Sequence, residues 1–154
     1  MHRFRLAALG GLLAVFVLAS LVTRPRQSKR EHDPLLVGAQ IPDDVRAAIV
    51  RSCADCHSEA TRYPWYSYVA PVSFLINSDV NGGREHLNFT RWAEYSSVRR
   101  QRALSDIANQ TQDGEMPLGI YTLMHRDAKL SETDKSAIFQ WTQAERARLI
   151  RGTQ

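Results

Sequence analysis

The sequence predicts a small all-α protein. Apolar residues recur at helical spacing in several segments after residue 43, and two of these segments begin or end with clear capping residues. No segment alternates between apolar and polar residues well enough to predict a strand, and no internal repeat is visible. The chain of 154 residues has about the length of one domain, so we expect a single helical unit.

The N-terminal segment predicts a membrane anchor over residues 1–23. Arg3 and Arg5 precede an uncharged apolar run from Leu6 to Thr23. As a helix with a rise of about 1.5 Å per residue, this run would span roughly 27 Å, close to the ~30 Å hydrocarbon core of a bilayer. A cleaved signal usually has an apolar stretch of only about 7 to 15 residues. The length therefore favours an uncleaved transmembrane helix.

Two other interpretations of this segment stay open at the level of sequence. Residues 17–19 resemble a small-residue cleavage site, and a buried helix of a soluble protein is the third alternative. Basic residues flank both ends of the run, and more of them follow it than precede it. The positive-inside rule alone therefore argues weakly against an exported domain.

The distribution of charge excludes a nucleic-acid-binding surface. The formal net charge is +4, but six of the 20 basic residues and none of the 16 acidic ones lie in residues 1–30. The rest of the chain has 14 basic and 16 acidic residues, a net charge of −2. It has no basic stripe with interleaved aromatic residues, so we expect no nucleic-acid partner.

Residues 24–42 predict a linker and residues 43–154 a helical domain. The linker is charged and contains three prolines and a glycine. Asp43 or Asp44 is a suitable N-cap for a helix that runs into residues 53–57. Residues 61–71 predict a folded loop, and Pro71 opens a short helix that Asn81-Gly82-Gly83 should end.

Two longer helices complete the predicted domain. One runs from about Ser97 to Thr111 and stops at Asp113-Gly114, and residues 115–117 follow as a loop. The last helix begins after Ser131, which forms the start of a capping box with Asp134.

The only two cysteines lie three residues apart and are followed at once by histidine. Cys53, Cys56 and His57 have the spacing of a c-type haem attachment site. Positions i, i+3 and i+4 share one helix face, so two thioethers and an axial imidazole can meet one haem. We therefore predict one covalent haem c, with these three residues binding the cofactor and His57 binding the iron.

Three other sites could use the same residues. A thioredoxin-type dithiol needs a preceding core strand, which the sequence lacks. A structural zinc site needs four ligands, which the motif with His86 or His125 could supply, but the sequence lacks paired Cys/His clusters at zinc-knuckle spacing. A plain disulfide is possible in an oxidising compartment.

The second iron ligand is predicted to be Met116. It lies between Gly114, which ends a helix, and Pro117, which stiffens the loop, about sixty residues after His57. Ordinary packing in the core is the alternative role for a single methionine. Met124 and His125 are the reserve ligands. For the second ring nitrogen of His57 we expect a backbone carbonyl near Pro64 or Pro71.

From about Pro42 to Trp141 the chain resembles the family of small bacterial haem-binding domains of cytochrome c type, which carry an N-terminal anchor. The residues that carry the resemblance are Cys53 to Ser58, Thr61, Pro64 to Ser67, Ala70-Pro71, Gly83-Arg84, Leu87 to Phe89, Trp92, Gly114 to Pro117, Tyr121, His125, Ala128, Leu130-Ser131 and Trp141. The resemblance implies a covalently bound haem c and a cytochrome c-like helical fold. It implies no particular redox partner.

These observations together predict a monohaem c-type cytochrome that transfers electrons and is not an enzyme. We expect a single-pass anchor in the bacterial cytoplasmic membrane, a haem domain in the periplasm, and a redox partner protein of unknown identity. The alternative is a haem peroxidase, or a redox or gas sensor, with a labile sixth ligand. A haem-free thiol-disulfide or structural protein is the third class.

Overall fold

The computed structural model describes the backbone of residues 2–152 and the side chains of residues 5–152. The prediction of an all-α protein is confirmed, since residues 2–152 contain no strand. The α-helices are α1 (His2–Val22), α2 (Asp43–Ser52), α3 (Ala54–His57), α4 (Val72–His86), α5 (Ser97–Gln112), α6 (Gly119–Met124) and α7 (Glu132–Arg151). Short 3₁₀ helices lie at Trp65–Tyr68, Phe89–Glu94 and Arg126–Ala128.

Helix α1 is apolar and exposed. The window Arg5–Val22 has a mean hydropathy of 2.2 over 18 residues, and none of it is buried against the rest of the chain. Within the described residues it is the one helix long and apolar enough to cross a membrane.

The core lies where α5 and α7 run along each other and α2 crosses α7. Ile49, Leu104 and Ile138 from these three helices are almost completely buried, together with Trp92 and Trp141. Burying a side chain of this size stabilises a fold by roughly 1.5–3 kcal/mol. These contacts therefore provide a rigid frame on which the shorter elements are placed.

Helices α5 and α7 begin as their capping residues predict. The Ser96 hydroxyl accepts a hydrogen bond from Arg99 N. Ser131 and Asp134 form the expected capping box at the start of α7. At the end of α5, Gly114 has a φ of +75°, a left-handed conformation that glycine adopts without strain. The predicted N-cap of α2 is wrong: Pro42 occupies that position, and Asp43 and Asp44 lie in the first turn.

Helix α4 is longer than predicted. Asn81-Gly82-Gly83 do not end it, and it continues to His86. Glycine lowers helix propensity by only about 1 kcal/mol, which tertiary contacts outweigh. Gly83 of α4 lies against the backbone of α3 at Cys56, and only a residue without a side chain fits there.

The segment 24–42 lies along the helical domain. Leu36 is buried, and its backbone N–H donates to Phe89 O at 2.9 Å. The Trp141 indole donates to Gln40 O at 2.9 Å. Arg148 of α7 reaches Gly38 O at 2.9 Å. These contacts hold the segment on the domain instead of leaving it as a free chain.

Candidate functional site

A cavity of about 550 Å³ opens between α3, α4, α5 and the loop that follows α5. All four residues predicted to bind the cofactor, Cys53, Cys56, His57 and Met116, line it. Its apolar walls include Ile49, Leu87, Phe89, Ala103, Ile107, Leu118 and Ile138. The fold thus brings the attachment motif and the distant methionine to one apolar space.

A break between α2 and α3 shapes the attachment motif. Cys53 leaves helical geometry, with φ −127° and ψ −32°, and its carbonyl accepts from Cys56 N at 3.2 Å and His57 N at 3.0 Å. These bonds form one tight turn. They place both thiols and the imidazole at the same wall of the cavity.

His57 is oriented by backbone carbonyls of α4. Its Nδ1 lies 3.0 Å from Gly83 O and 3.1 Å from Leu87 O. The prediction of a carbonyl near Pro64 or Pro71 is therefore wrong. The C-terminal end of α4 lies beside the motif and supplies both acceptors. Two acceptors fix the proton on Nδ1 and leave the lone pair of Nε2 free to bind a metal. Burial lowers the pKa of His57, which keeps the imidazole neutral as a ligand must be.

Gly83 allows α4 to approach the motif closely. A Cβ at this position would lie 2.7 Å from Cys56 O and 3.1 Å from Cys56 C. Backbone atoms cannot move aside as a flexible side chain can. Gly83 is therefore a site residue, although its local sequence predicts the end of a helix and it otherwise contributes only to the family resemblance.

We expect Gly83→Ala to destabilise the fold by about 1–3 kcal/mol, because α4 must move away from α3 to relieve the overlap. The same shift would loosen the carbonyls that orient His57. Urea denaturation measures the loss. Gly119→Ala is the matched control, since a Cβ there meets nothing within 4 Å. Equal stabilities of the two variants would contradict the close approach.

The two thiols do not have the properties of a reactive dithiol. Burial raises the pKa of Cys53 to about 12 and that of Cys56 to about 11. A redox-active Cys-x-x-Cys pair instead depends on a lowered thiol pKa. Among the residues whose side chains are described, no group of three or more His, Cys, Asp and Glu could hold a metal ion, so the zinc alternative lacks its ligand set.

Met116 lies half-buried in the loop between α5 and α6. Its backbone N–H donates to Gln110 O in the last turn of α5 at 3.0 Å, which ties the loop to that helix. The reserve ligands lie elsewhere. Met124 is 59% exposed, and neither it nor His125 lines the cavity.

His125 belongs to a neighbouring cluster of aromatic residues. Its ring stacks on Tyr121 with centroids 4.4 Å apart. Its Nδ1 lies 3.2 Å from Tyr121 O, and its Nε2 lies 3.2 Å from the Tyr66 hydroxyl. Both ring nitrogens are thus in contact with protein groups, whereas a histidine that binds iron needs one ring nitrogen free.

A buried carboxylate links the attachment motif to the segment after Met116. Asp55, between the two cysteines, is 8% exposed. One of its oxygens accepts from Arg62 N and Nε at 3.0 and 3.1 Å. The other accepts from Arg62 Nη2 at 3.1 Å and from the Tyr121 hydroxyl at 2.7 Å. Burial and this bond raise the pKa of Tyr121. The Asp55–Tyr121 bond holds α6 against α3 and so limits the movement of the loop.

We expect Tyr121→Phe to cost about 1.5–3 kcal/mol of unfolding free energy, because the bond it removes goes to a buried charged group. Guanidinium titration measures this. Tyr63→Phe is a suitable control, because the structure gives the Tyr63 hydroxyl no hydrogen-bond partner within residues 5–152. A Tyr121→Phe loss no larger than that of the control would show that the bond contributes nothing.

The cavity also contains one unpaired polar atom. Ser52 lines the cavity and is 4% exposed, and its Oγ has no hydrogen-bond partner among the described residues. Burying an unsatisfied hydroxyl is unfavourable, so such an atom indicates a missing partner. Nothing in the sequence alone indicates this role for Ser52.

Comparison with known proteins gives one match. Residues 14–144 match the model of a family described as a haem-binding domain. No curated protein and no solved structure matches the chain significantly.

Proposed function

Since the chain belongs to the haem-binding domain family, we propose that it is a membrane-tethered monohaem c-type cytochrome that carries electrons and is not an enzyme. The family match shows a haem protein and covers most of the chain. The observation that carries the finer proposal is the meeting of Cys53, Cys56, His57 and Met116 at one apolar cavity.

The residues of the cavity fit a covalently bound haem. A volume of about 550 Å³ lies within the roughly 300–1,000 Å³ typical of cofactor and ligand sites. Apolar walls suit a porphyrin ring, and the unpaired Ser52 hydroxyl is available to a polar group of the cofactor. When bound, haem supplies one-electron redox chemistry at its iron.

The chain contributes attachment, ligation and burial. Cys53 and Cys56 would each add across one vinyl group, with a new carbon–sulfur bond at one vinyl carbon and the thiol hydrogen transferred to the other. No electrons are gained or lost overall in this addition. His57 would donate its free Nε2, and Met116 its thioether sulfur, which favours a higher reduction potential than a second histidine.

The attachment motif supports an exported haem domain. Bacteria attach haem covalently to such a motif on the outer side of the cytoplasmic membrane, and α1 is long and apolar enough to anchor Cys53, Cys56 and His57 there. We therefore propose a domain outside the cytoplasmic membrane, where it would exchange electrons with a redox protein.

The test is colour and haem staining of the purified chain. We expect protein from a host that matures another c-type cytochrome to keep haem-linked peroxidase staining on a denaturing gel, because thioethers survive denaturation. Absorption spectra before and after denaturation give the same information independently. A colourless chain, or haem that separates on the gel, would refute a c-type cytochrome.

A further inference from the structure

The end of α1 is attached to the haem domain by hydrogen bonds. Thr23 and Ser73 are both buried, and their hydroxyls lie 2.5 Å apart. Ala70 N donates to Ser20 Oγ at 3.1 Å, and Asn77 Nδ2 donates to Thr23 O at 2.6 Å. The domain therefore sits directly on the last turn of the membrane helix, not at the end of a loose tether.

Four apolar side chains of α4 and of the 3₁₀ helix that packs against it are exposed. We call them the apolar patch: Trp65, Val72, Phe74 and Leu75, which are 78%, 40%, 55% and 50% exposed. None of the four lines the cavity. Val72 and Phe74 flank Ser73 in the first turn of α4. The other two tryptophans, Trp92 and Trp141, are 0% and 3% exposed, so exposure is particular to Trp65.

Basic residues lie beside the same attachment. Arg24 follows Thr23 directly, and its guanidinium lies 5.5 Å from the centre of the Tyr68 ring. Arg26 is exposed two residues later. Cations that emerge immediately after a membrane helix lie at the level of the lipid headgroups, where anionic lipids attract them.

We propose that the apolar patch is inserted in the headgroup–acyl boundary of the bilayer that α1 spans. The occupant of this surface is lipid. Trp and Tyr are enriched at this boundary because each has an apolar body and a polar group, and Phe and Leu enter it on the apolar faces of interfacial helices. Val72 and Phe74 are the immediate neighbours of Ser73, which bonds Thr23 just after α1, so a bilayer that α1 spans would lie beside them. The domain is thereby held against the membrane at the first turn of α4.

This inference rests on the membrane anchoring in the proposed function and not on the haem.

Three phenylalanines allow a matched test. Phe16 lies within α1, Phe74 lies in the patch, and Phe139 is 44% exposed on α7, which packs against α2 and α5. A benzophenone-bearing phenylalanine analogue is introduced at each position in turn, and at Trp65. The full chain is irradiated in vesicles of phosphatidylethanolamine and phosphatidylglycerol.

We expect lipid adducts at positions 16, 65 and 74, with yields about tenfold above that at position 139. Yields at 65 and 74 equal to that at 139, with a strong adduct at 16, would overturn the inference while leaving the anchor intact. Adducts between two copies of the chain at 65 and 74, in place of lipid adducts, would also overturn it. Absence of the chain from the vesicle fraction would overturn both the inference and the anchor. Lipid adducts on a chain without covalent haem would support the inference and refute the cytochrome.

Discussion

Replacing both cysteines, Cys53→Ala with Cys56→Ala, is expected to abolish haem staining on a denaturing gel completely. The two thiols lie on one turn at the cavity wall, and the chain has no other cysteine to form a thioether. Haem could still enter the cavity and bind His57, but without a covalent bond it would separate during electrophoresis. Densitometry of the stained band against total protein measures the loss.

The two single variants give a graded control. Cys53→Ala and Cys56→Ala each leave one thiol at the cavity, so we expect weaker staining in both. Val50→Ala, which changes a residue of the preceding helix that lies outside the cavity lining and removes no thiol, should stain fully. Staining that survives in the double variant would mean that the haem is held in another way, and the motif would have to be reinterpreted.

Much of this site could be predicted from local sequence patterns. The spacing of Cys53, Cys56 and His57 is set by a single turn, and a single turn is visible in the sequence. The capping box at Ser131 and the glycine after α5 are equally local, and both predicted boundaries agree with the structure. The assignment of Met116 depended on its position between Gly114 and Pro117, and the structure places it at the cavity.

The remainder depends on contacts between distant residues. Gly83 resembles a helix terminator in sequence. Only its close approach to the Cys56 backbone explains why a glycine lies inside a helix that continues. The acceptors of His57 Nδ1 lie 26 and 30 residues further along the chain. Residues 24–42 have the composition of a linker, yet Leu36 and Gln40 join the domain through bonds to Phe89 and Trp141. No periodicity in the sequence carries such information.

The contacts around the motif have a common consequence. Gly83 supplies a carbonyl to His57 and needs its small size to approach Cys56, so one residue sets both the distance between α4 and α3 and the orientation of the His57 imidazole. Asp55 connects the same motif to Tyr121 of α6, which follows the loop that contains Met116. The elements on both sides of the cavity are therefore attached to α3, which would limit the movement of both ligands of the proposed haem.

Met116→Ala is expected to open the sixth coordination position. A thioether favours ferrous over ferric iron, so its loss should lower the reduction potential by tenths of a volt, within the roughly 0.8 V range that axial ligands set. Oxidised wild type should show the weak red absorption band of methionine-to-iron charge transfer, and the variant should lack it and gain peroxidase activity. Met116→His should also lose the band and lower the potential, but it should stay six-coordinate and inactive towards peroxide.

Met124→Ala is the matched control for this experiment, since Met124 is 59% exposed and lies outside the cavity lining. It should keep the band, the potential and the low peroxidase activity of the wild type. If Met116→Ala instead keeps a low-spin spectrum and an unchanged potential, Met116 only packs against the cavity and another residue is the ligand. If the wild type itself lacks the band and reacts readily with peroxide, the sixth position is labile. The chain would then function as a haem peroxidase or sensor, because outer-sphere electron transfer at a fixed potential needs a ligand that stays bound in both oxidation states.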